Sequence, residues 1–514
     1  MLPFLLLLLL CAAAPLRAVL VLQDSPPRGY NTFDAYPDPQ NLNASFLLDI
    51  IGRLGASPLR RVGYTQIFGW AGWSTTLNAT DGSNIQHLDG YGRAIPAPER
   101  FPEGSMQAAA AAAKAQGLLF GLWQMRGVHK DAAARRLPVK GMEQYTLDQL
   151  VDVEPLGGGK NGSCLWNPDW LGVNASHPAA QAYYDSVVEK LVELGCEVIE
   201  ADCMMCGPCY SDEMRMMSSA VKRRPETLVL YFSPGGGNQP ENGAWAASEQ
   251  IATFYRTLTD FHGGWSDWGG LQQAIFIAGN WTAAGLHGLN NTWPDLDMIP
   301  MGKSSTQPRA RGRARARRDI LTLSPSLPPS LPSRPGPDWW SGAPVEQVDR
   351  GQTIASLWTM GRYPLFSAGA LPLDAVTLSY LTNPIALALN NRVEDPASPT
   401  RISYEGNCTC TGGSGSCTIP HGPGDHPAFP CVAKWIAVVP PPAGFTSLML
   451  INMGEDNATS TTSIAELGLL PLPSAQYAVT DIWTGLPVGV FRGDESFVTP
   501  LRMHASALLQ ITPA

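Results

Sequence analysis

The feature that most constrains this chain is an alternation. Eight short β-rich runs recur along it: Gly29–Phe33, Tyr64–Trp70, Leu118–Trp123, Glu197–Asp202, Leu228–Ser233, Thr253–Thr257, Asn291–Asp295 and Tyr363–Ser367. Several intervening stretches, Ala179–Leu194 and Gln352–Met360 among them, repeat their apolar residues at helical spacing. Strands that alternate with helices pair in parallel, because each crossover helix returns the chain to the same end of the sheet. Eight such units within 24–393 predict an α/β fold built on a (β/α)8 TIM barrel, although a doubly wound open sheet shares the periodicity.

The texture changes near Trp435. Val438, Leu448–Ile451, Tyr477–Thr480, Phe491 and Ala507–Ile511 form short β runs broken by Pro, Gly and Asn, which predicts a C-terminal antiparallel β-sandwich over 435–514. The interval 394–434 reads as a turn-rich connection holding Cys408, Cys410, Cys417 and Cys431. A low-complexity stretch over 303–337, with Arg309 to Arg318 followed by a Ser/Leu/Pro run, reads as a disordered surface insertion. A translated intron would have the same texture, and an anion-binding arm is the functional alternative.

Charge excludes some functions. The 514 residues carry a net charge of −9 and only 15% are charged, so no nucleic-acid partner is expected. With 44% hydrophobic residues the chain can bury a large core, and neither coiled coil nor disorder throughout fits. Residues 1–18 contain the apolar run Leu2–Leu10 followed by small residues, which reads as a secretory signal peptide; a retained anchor is the alternative. Sequons at Asn43, Asn78, Asn161, Asn174, Asn280, Asn290, Asn407 and Asn457 fit a secreted glycoprotein, extracellular, in the cell wall or vacuolar. No later stretch has the apolar length of a membrane helix, so no stable membrane insertion is expected.

Ten cysteines, with Cys11 in the signal, leave nine and therefore an unpaired thiol. Cys206-Gly-Pro-Cys209, between a strand and the helical stretch Ser211–Val221, has the spacing that lowers a thiol pKa in disulfide oxidoreductases. Nothing else in the chain matches those compact domains, and a metal site on Cys203, Cys206 and Cys209 needs a fourth ligand. Structural disulfides are the better reading.

Carboxylates at strand ends carry the chemistry. Strand four ends Glu200-Ala-Asp202, strand six runs Phe254-Tyr-Arg256-Thr-Leu-Thr-Asp260, and strand seven ends Trp293-Pro-Asp295-Leu-Asp297. The carboxyl ends of barrel strands are where catalytic groups collect. Glycoside hydrolysis needs two carboxyls flanking a sugar, and rings such as Trp70, Trp123 and Trp293 can stack on a pyranose. Two carboxyls suffice for that chemistry, so no cofactor and no metal is expected.

From about Pro26 onward the chain resembles the melibiase-type glycoside hydrolases of family 27, the α-galactosidase group. The resemblance rests on motifs in register: Pro26-Pro27-Arg28-Gly29-Tyr30-Asn31-Thr32-Phe33, Gly63-Tyr64, Gly90-Tyr-Gly92-Arg93, Arg100-Phe101-Pro102-Glu-Gly104, Gly117 to Gly121, Trp293-Pro-Asp-Leu-Asp-Met298, Leu357-Trp358 with Pro364-Leu365, Leu381-Thr-Asn383-Pro384, and the ending His504 to Pro513. It implies a retaining exo-glycosidase with a (β/α)8 barrel and a C-terminal sandwich, acting on terminal α-D-galactosyl or β-L-arabinopyranosyl residues. Asp202 is then the nucleophile and Asp260 the acid/base, while Arg256, Asp297, Glu200, Phe33, Trp70, Trp123 and Trp293 line the carbohydrate site. Cys164 and Cys203 match a family disulfide at the rim. This chain departs at Trp70, near where α-galactosidases carry an Asp pair, at Glu200, where they carry Lys, and at Tyr231-Phe-Ser233-Pro-Gly235. These forms look closest to a plant branch that includes β-L-arabinopyranosidases. A catalytically silent sugar-binding protein on the same fold is the alternative of a different class.

Overall fold

Each of the eight β runs forms a strand: β1 (Arg28–Asn31), β2 (Gln66–Phe68), β3 (Leu119–Met125), β4 (Val198–Asp202), β5 (Val229–Ser233), β6 (Phe254–Arg256), β7 (Trp293–Asp295) and β8 (Leu365–Ser367). They come from a computed structural model, which describes residues 20, 22–36, 42–70, 72–80, 83–152, 162–204, 210–234, 239–261, 263–265, 270–302, 345–394, 399–406, 431–454, 456–469 and 474–514. The strands pair in parallel in chain order, and β1 also pairs with β8. The ring closes just beyond β7: Ile299 N donates to Phe366 O at 2.7 Å and Ala368 N to Ile299 O at 2.9 Å.

Helices follow every strand: α1 (Ala44–Ala56), α2 (Ser105–Ala115), α3 (Ala180–Glu193), α4 (Ser211–Lys222), α5 (Pro240–Ser248), α6 (Leu271–Ala283), α7 (Val345–Met360), and α8 (Ala375–Leu381) with α9 (Pro384–Asn390). α1 shows why. The Asn43 side chain accepts from Phe46 N at 3.0 Å to cap its first turn, and Leu47, Ile50, Ile51 and Leu54 place one apolar stripe on the barrel.

Side chains alternate across each strand, so every second residue points into the barrel. The inward residues of the lower layers are aromatic. Tyr231 stacks on Phe254 at 4.3 Å, Phe254 on Phe366 at 5.1 Å, and Phe68 meets Phe366 edge-on at 4.9 Å. Val198, Val229 and Trp293 complete this plug. Gly121 makes room for it, since a Cβ there would lie 2.6 Å from Val198 O and 2.8 Å from Phe68 Cβ.

The C-terminal domain is antiparallel, with β9 (Arg401–Glu405), β10 (Val432–Val439), β11 (Phe445–Asn452), β12 (Ala458–Ser463), β13 (Gln476–Asp481), β14 (Pro487–Arg492), β15 (Ser496–Leu501) and β16 (Ser506–Pro513). Six strands form one sheet in the order β9-β10-β11-β16-β13-β14, and β12 pairs with β15. Leu448, Leu450, Val479, Phe497, Leu501 and Ile511 fill the space between the two sheets. The other face of the large sheet packs through Trp435, Met449 and Leu508 on the barrel's helical layer. Gln352 Nε2 donates to Ser506 O and Trp483 Nε1 to Ser356 Oγ, both at 2.9 Å, so α7 is bonded to this domain. β9 lies inside the interval read from sequence as connecting chain. Residues 1–19, 303–344, 205–209 and 407–430 lie outside the described residues, and with them the signal, the low-complexity stretch, Cys206, Cys209, Cys408, Cys410 and Cys417.

Candidate active site

Alternation selects which carboxylates meet. On β4 the inward residues are Val198, Glu200 and Asp202; on β6 they are Phe254 and Arg256; on β7 they are Trp293 and Asp295, with Asp297 just beyond. Strand register brings them level, with Asp202 opposite Ser233 and Arg256 opposite Asp295. The aromatic plug forms the floor, and the charged residues form the layers above it at the carboxyl ends.

Asp202 closes β4 and is held by two donors on different oxygens. The Trp123 indole N–H reaches Oδ2 at 3.0 Å and the Cys203 backbone N–H reaches Oδ1 at 2.6 Å. Burial pushes its pKa above the ordinary carboxylate range; Arg256 and the two donors pull it down, and the Asp260 charge adds to the push. A carboxylate fixed this way is aimed and keeps both oxygens solvated by protein donors.

Arg256 is the only guanidinium among these inward residues. It pairs with Asp260 at 2.9 Å and with Asp297 at 3.4 Å. Burial opposes its charge, but Asp297, Asp260 and Asp202 outweigh that and raise its pKa well above normal. Asp297 Oδ2 also accepts from Phe261 N at 2.9 Å, so the loop that carries Asp260 is pinned on both sides of that residue. Asp260 itself is 62% exposed and stands on this loop at the rim, four residues beyond the end of β6. It is thus a reachable carboxyl at the rim, across the guanidinium from Asp297.

More carboxyls share this cation than it can neutralise. Burial raises the pKa of Asp34, Glu200, Asp295 and Asp297, and their mutual repulsion raises several further. Asp295 is pushed up to about 8, first by burial and then by Asp297. Glu200 Oε2, Asp295 Oδ1 and Asp34 Oδ2 are buried with no hydrogen-bond partner among the described residues. Protonated carboxyls with open valences are hydrogen-bonding groups for a polyhydroxylated ligand. Asp295 is among the strand-end acids of the sequence reading, with no role in the sugar site given to it there, and Asp34 is absent from that reading, although it too lies just past the carboxyl end of a barrel strand.

The four aromatics divide. Trp123 is half-buried beside Asp202, and Phe33 is half-buried over the plug. Trp70 and Trp293 are each 1% exposed and offer no face to a sugar. Trp70 turns out of β2 at φ 38°, after Gly69 at φ 107°, and packs in the outer cluster with Trp73. Trp293 opens β7 at the floor, where its indole donates to Gln23 O at 2.8 Å and Arg362 covers its ring at 4.9 Å. Both therefore leave the sugar-stacking set.

Cys164 and Cys203 are disulfide-bonded. Behind them lies Arg126, which sequence pattern missed because it follows β3 without an acidic neighbour. Its backbone N–H donates to Asp202 O at 3.1 Å, Nε to Cys203 O at 2.9 Å, Nη2 to Gly162 O at 2.6 Å and Nη1 to Glu213 at 2.5 Å. Tyr184 OH donates to the same Glu213 and the Tyr210 ring lies 3.4 Å from the guanidinium. This wholly buried pair clamps both ends of the disulfide loop against β4. Cys196 is a free, buried thiol whose pKa burial pushes up to about 12, the opposite of a reactive one. Among the described residues no cluster of His, Cys, Asp or Glu is arranged to hold a metal ion, and no helix is long and apolar enough to cross a membrane.

No protein-family model and no curated protein matches the chain. Solved structures do. A GH27 β-L-arabinopyranosidase from Geobacillus stearothermophilus, in complex with arabinose, superposes with a TM-score of 0.72 at 21% identity, covering 96% of this chain and 98% of its own. The wild-type form of that enzyme gives 0.71 at 22% identity, covering 96% and 97%. An α-galactosidase from Saccharomyces cerevisiae gives 0.58 at 13% identity, covering 96% and 98%. The likeness establishes the fold, barrel and sandwich together, along nearly the whole of both chains.

Proposed function

We propose that the protein is a retaining exo-glycosidase that removes terminal α-D-galactosyl or β-L-arabinopyranosyl residues. The observation that carries this reading is the pairing at one barrel rim of Asp202, oriented by two N–H donors, with the solvent-reachable Asp260. Asp202 attacks the anomeric carbon while Asp260 protonates the departing oxygen; Asp260 then takes a proton from the water that cleaves the glycosyl–Asp202 ester. Asp202 must be ionised and Asp260 protonated at the first step. Burial opposes the former and raises the Asp202 pKa, while the Arg256 charge and the Cys203 and Trp123 donors work in favour of the carboxylate.

Arg256, Asp297, Asp34, Glu200 and Asp295 supply the hydrogen bonds that hold sugar hydroxyls, several of them with unmet valences in the free protein. The sugars named for the structural neighbours, arabinose and galactose, fit such a lining. The two candidate sugars share their ring hydroxyl arrangement and differ by a hydroxymethyl group. We place the reaction in the secretory route on the strength of the leader and sequons.

The test is hydrolysis of nitrophenyl α-D-galactopyranoside and nitrophenyl β-L-arabinopyranoside by the wild type and Asp202→Asn. Turnover of either sugar that vanishes in the variant is expected, and the preferred sugar names the substrate class. Binding of these sugars without turnover would leave a sugar-binding protein instead.

A further inference from the structure

The Cys164–Trp170 loop carries two neighbouring large apolar side chains in the open: Leu165 is 51% and Trp166 47% exposed. It stands beside the reactive carboxylate. Cys164 is bonded to Cys203, the residue that follows Asp202, and the Trp166 ring lies 6.5 Å from the Trp123 ring, tilted by 42°. Trp123 in turn donates to Asp202. The exposed indole is therefore one ring contact and one hydrogen bond from the site of attack, on the solvent side.

The loop is also stiff. Cys164 N donates to Trp170 O at 3.0 Å and Trp170 N to Asn167 O at 3.2 Å, closing it on itself. Lys130 pairs with Asp169 at 2.6 Å, and its backbone N–H bonds Asp169 O at 2.7 Å. His129 meets the Trp170 ring edge-on at 5.2 Å. Arg126 grips Gly162 O just before the loop and Cys203 O across the disulfide. So much bracing for a tip whose side chains bury so little surface within the chain points to a surface that is kept in place for something outside it.

We propose that Trp166, backed by Leu165, is the leaving-group subsite: a platform for an aglycone with a flat apolar face, either the C–H face of a pyranose or an aromatic ring. This rests on the glycosidase reading above. An exo-acting pocket encloses the terminal sugar among Asp202, Arg256 and Asp297, so the remainder of the substrate must leave over the rim. An indole about half exposed at that rim gives it a stacking partner, and the ring's fixed position means little ordering is needed on binding.

The experiment compares Trp166→Ala and Trp166→Phe with the wild type on three substrates of the preferred sugar: its nitrophenyl glycoside, a disaccharide ending in that sugar, and its glycosyl fluoride, whose leaving group has no ring to stack. For Trp166→Ala, the ratio of kcat/KM on the nitrophenyl glycoside to that on the fluoride is expected to fall about tenfold, a loss of one aromatic stack, and Trp166→Phe to restore most of it. A parallel fall on the disaccharide assigns the platform to a sugar face as well; a fall on the aryl substrate alone restricts it to aromatic aglycones. An unchanged ratio in Trp166→Ala, with all three substrates still turned over, overturns the subsite and leaves the glycosidase reading standing. A wild type that cleaves neither fluoride nor nitrophenyl glycoside overturns both.

Discussion

Asp295 offers a sharp electrostatic consequence of the carboxyl cluster. Its side chain is 1% exposed and its pKa in the folded protein is about 8, against about 3.9 in an unfolded chain. Between those values the folded protein holds one proton that the unfolded chain has lost. Stability then falls as pH rises, by about 1.36 kcal/mol per unit for this one group. From pH 5 to pH 7 that amounts to about 2.7 kcal/mol. Asn at 295 fills the same volume, keeps an oxygen that can accept from Tyr231, and cannot titrate. Asp295→Asn should therefore gain about 2.7 kcal/mol relative to wild type on moving from pH 5 to pH 7, whatever its offset at pH 5. Urea unfolding of both proteins at the two pH values reads this difference directly. Asp34, Glu200 and Asp297 have pKa shifts of the same sign, so the wild type itself should lose stability toward neutral pH. A wild-type-to-variant gap that is equal at both pH values would refute the claim that Asp295 is held protonated.

Two further consequences concern the support of Asp202. Trp123→Phe keeps the ring but removes the N–H on Oδ2; a charge-assisted bond of about 2 kcal/mol predicts roughly a thirtyfold loss in kcat/KM. The acid limb of its pH–rate profile should move upward, because a donor that favours the ionised carboxylate is gone, and an unmoved limb would count against the assignment. Arg126→Met leaves Glu213 buried without its cation and should cost about 3–5 kcal/mol in denaturant unfolding, most of it recovered when Glu213→Leu is added. Failure of the double substitution to recover stability would show that the guanidinium's bonds to Gly162 and Cys203, rather than the ion pair, dominate.

The barrel was legible because its signal is repetitive. Each strand recurs at a spacing set by its crossover helix, and all eight fell within or close to the expected runs. Alternation and strand ends likewise predict that Asp202, Arg256 and Asp297 meet, since inward side chains at the carboxyl ends of barrel strands converge. The same reasoning could not separate rim from floor: Trp293 stands two residues before Asp295 on the same inward face, yet it belongs to the aromatic floor and its indole bonds Gln23 O ahead of β1. Nor could it foresee that left-handed turns at Gly69 and Trp70 would swing an indole out of the barrel. Arg126 and Trp166 were hidden for a different reason. Their roles depend on a disulfide and on backbone carbonyls contributed by distant segments, and neither leaves a periodic trace. β9 was masked by its surroundings, a short strand beside a cysteine-rich, turn-rich stretch.

The central claim is that Asp202 forms a covalent bond to the sugar, and trapping that ester tests it most directly. The protein would be incubated with a fluorinated galactosyl fluoride whose glycosyl-enzyme hydrolyses slowly, then digested and mapped by mass spectrometry. One fluorinated sugar per chain on the peptide carrying Asp202, with none in Asp202→Asn, is the expected result. Turnover without a trapped adduct, or an adduct on another carboxylate, would contradict the account.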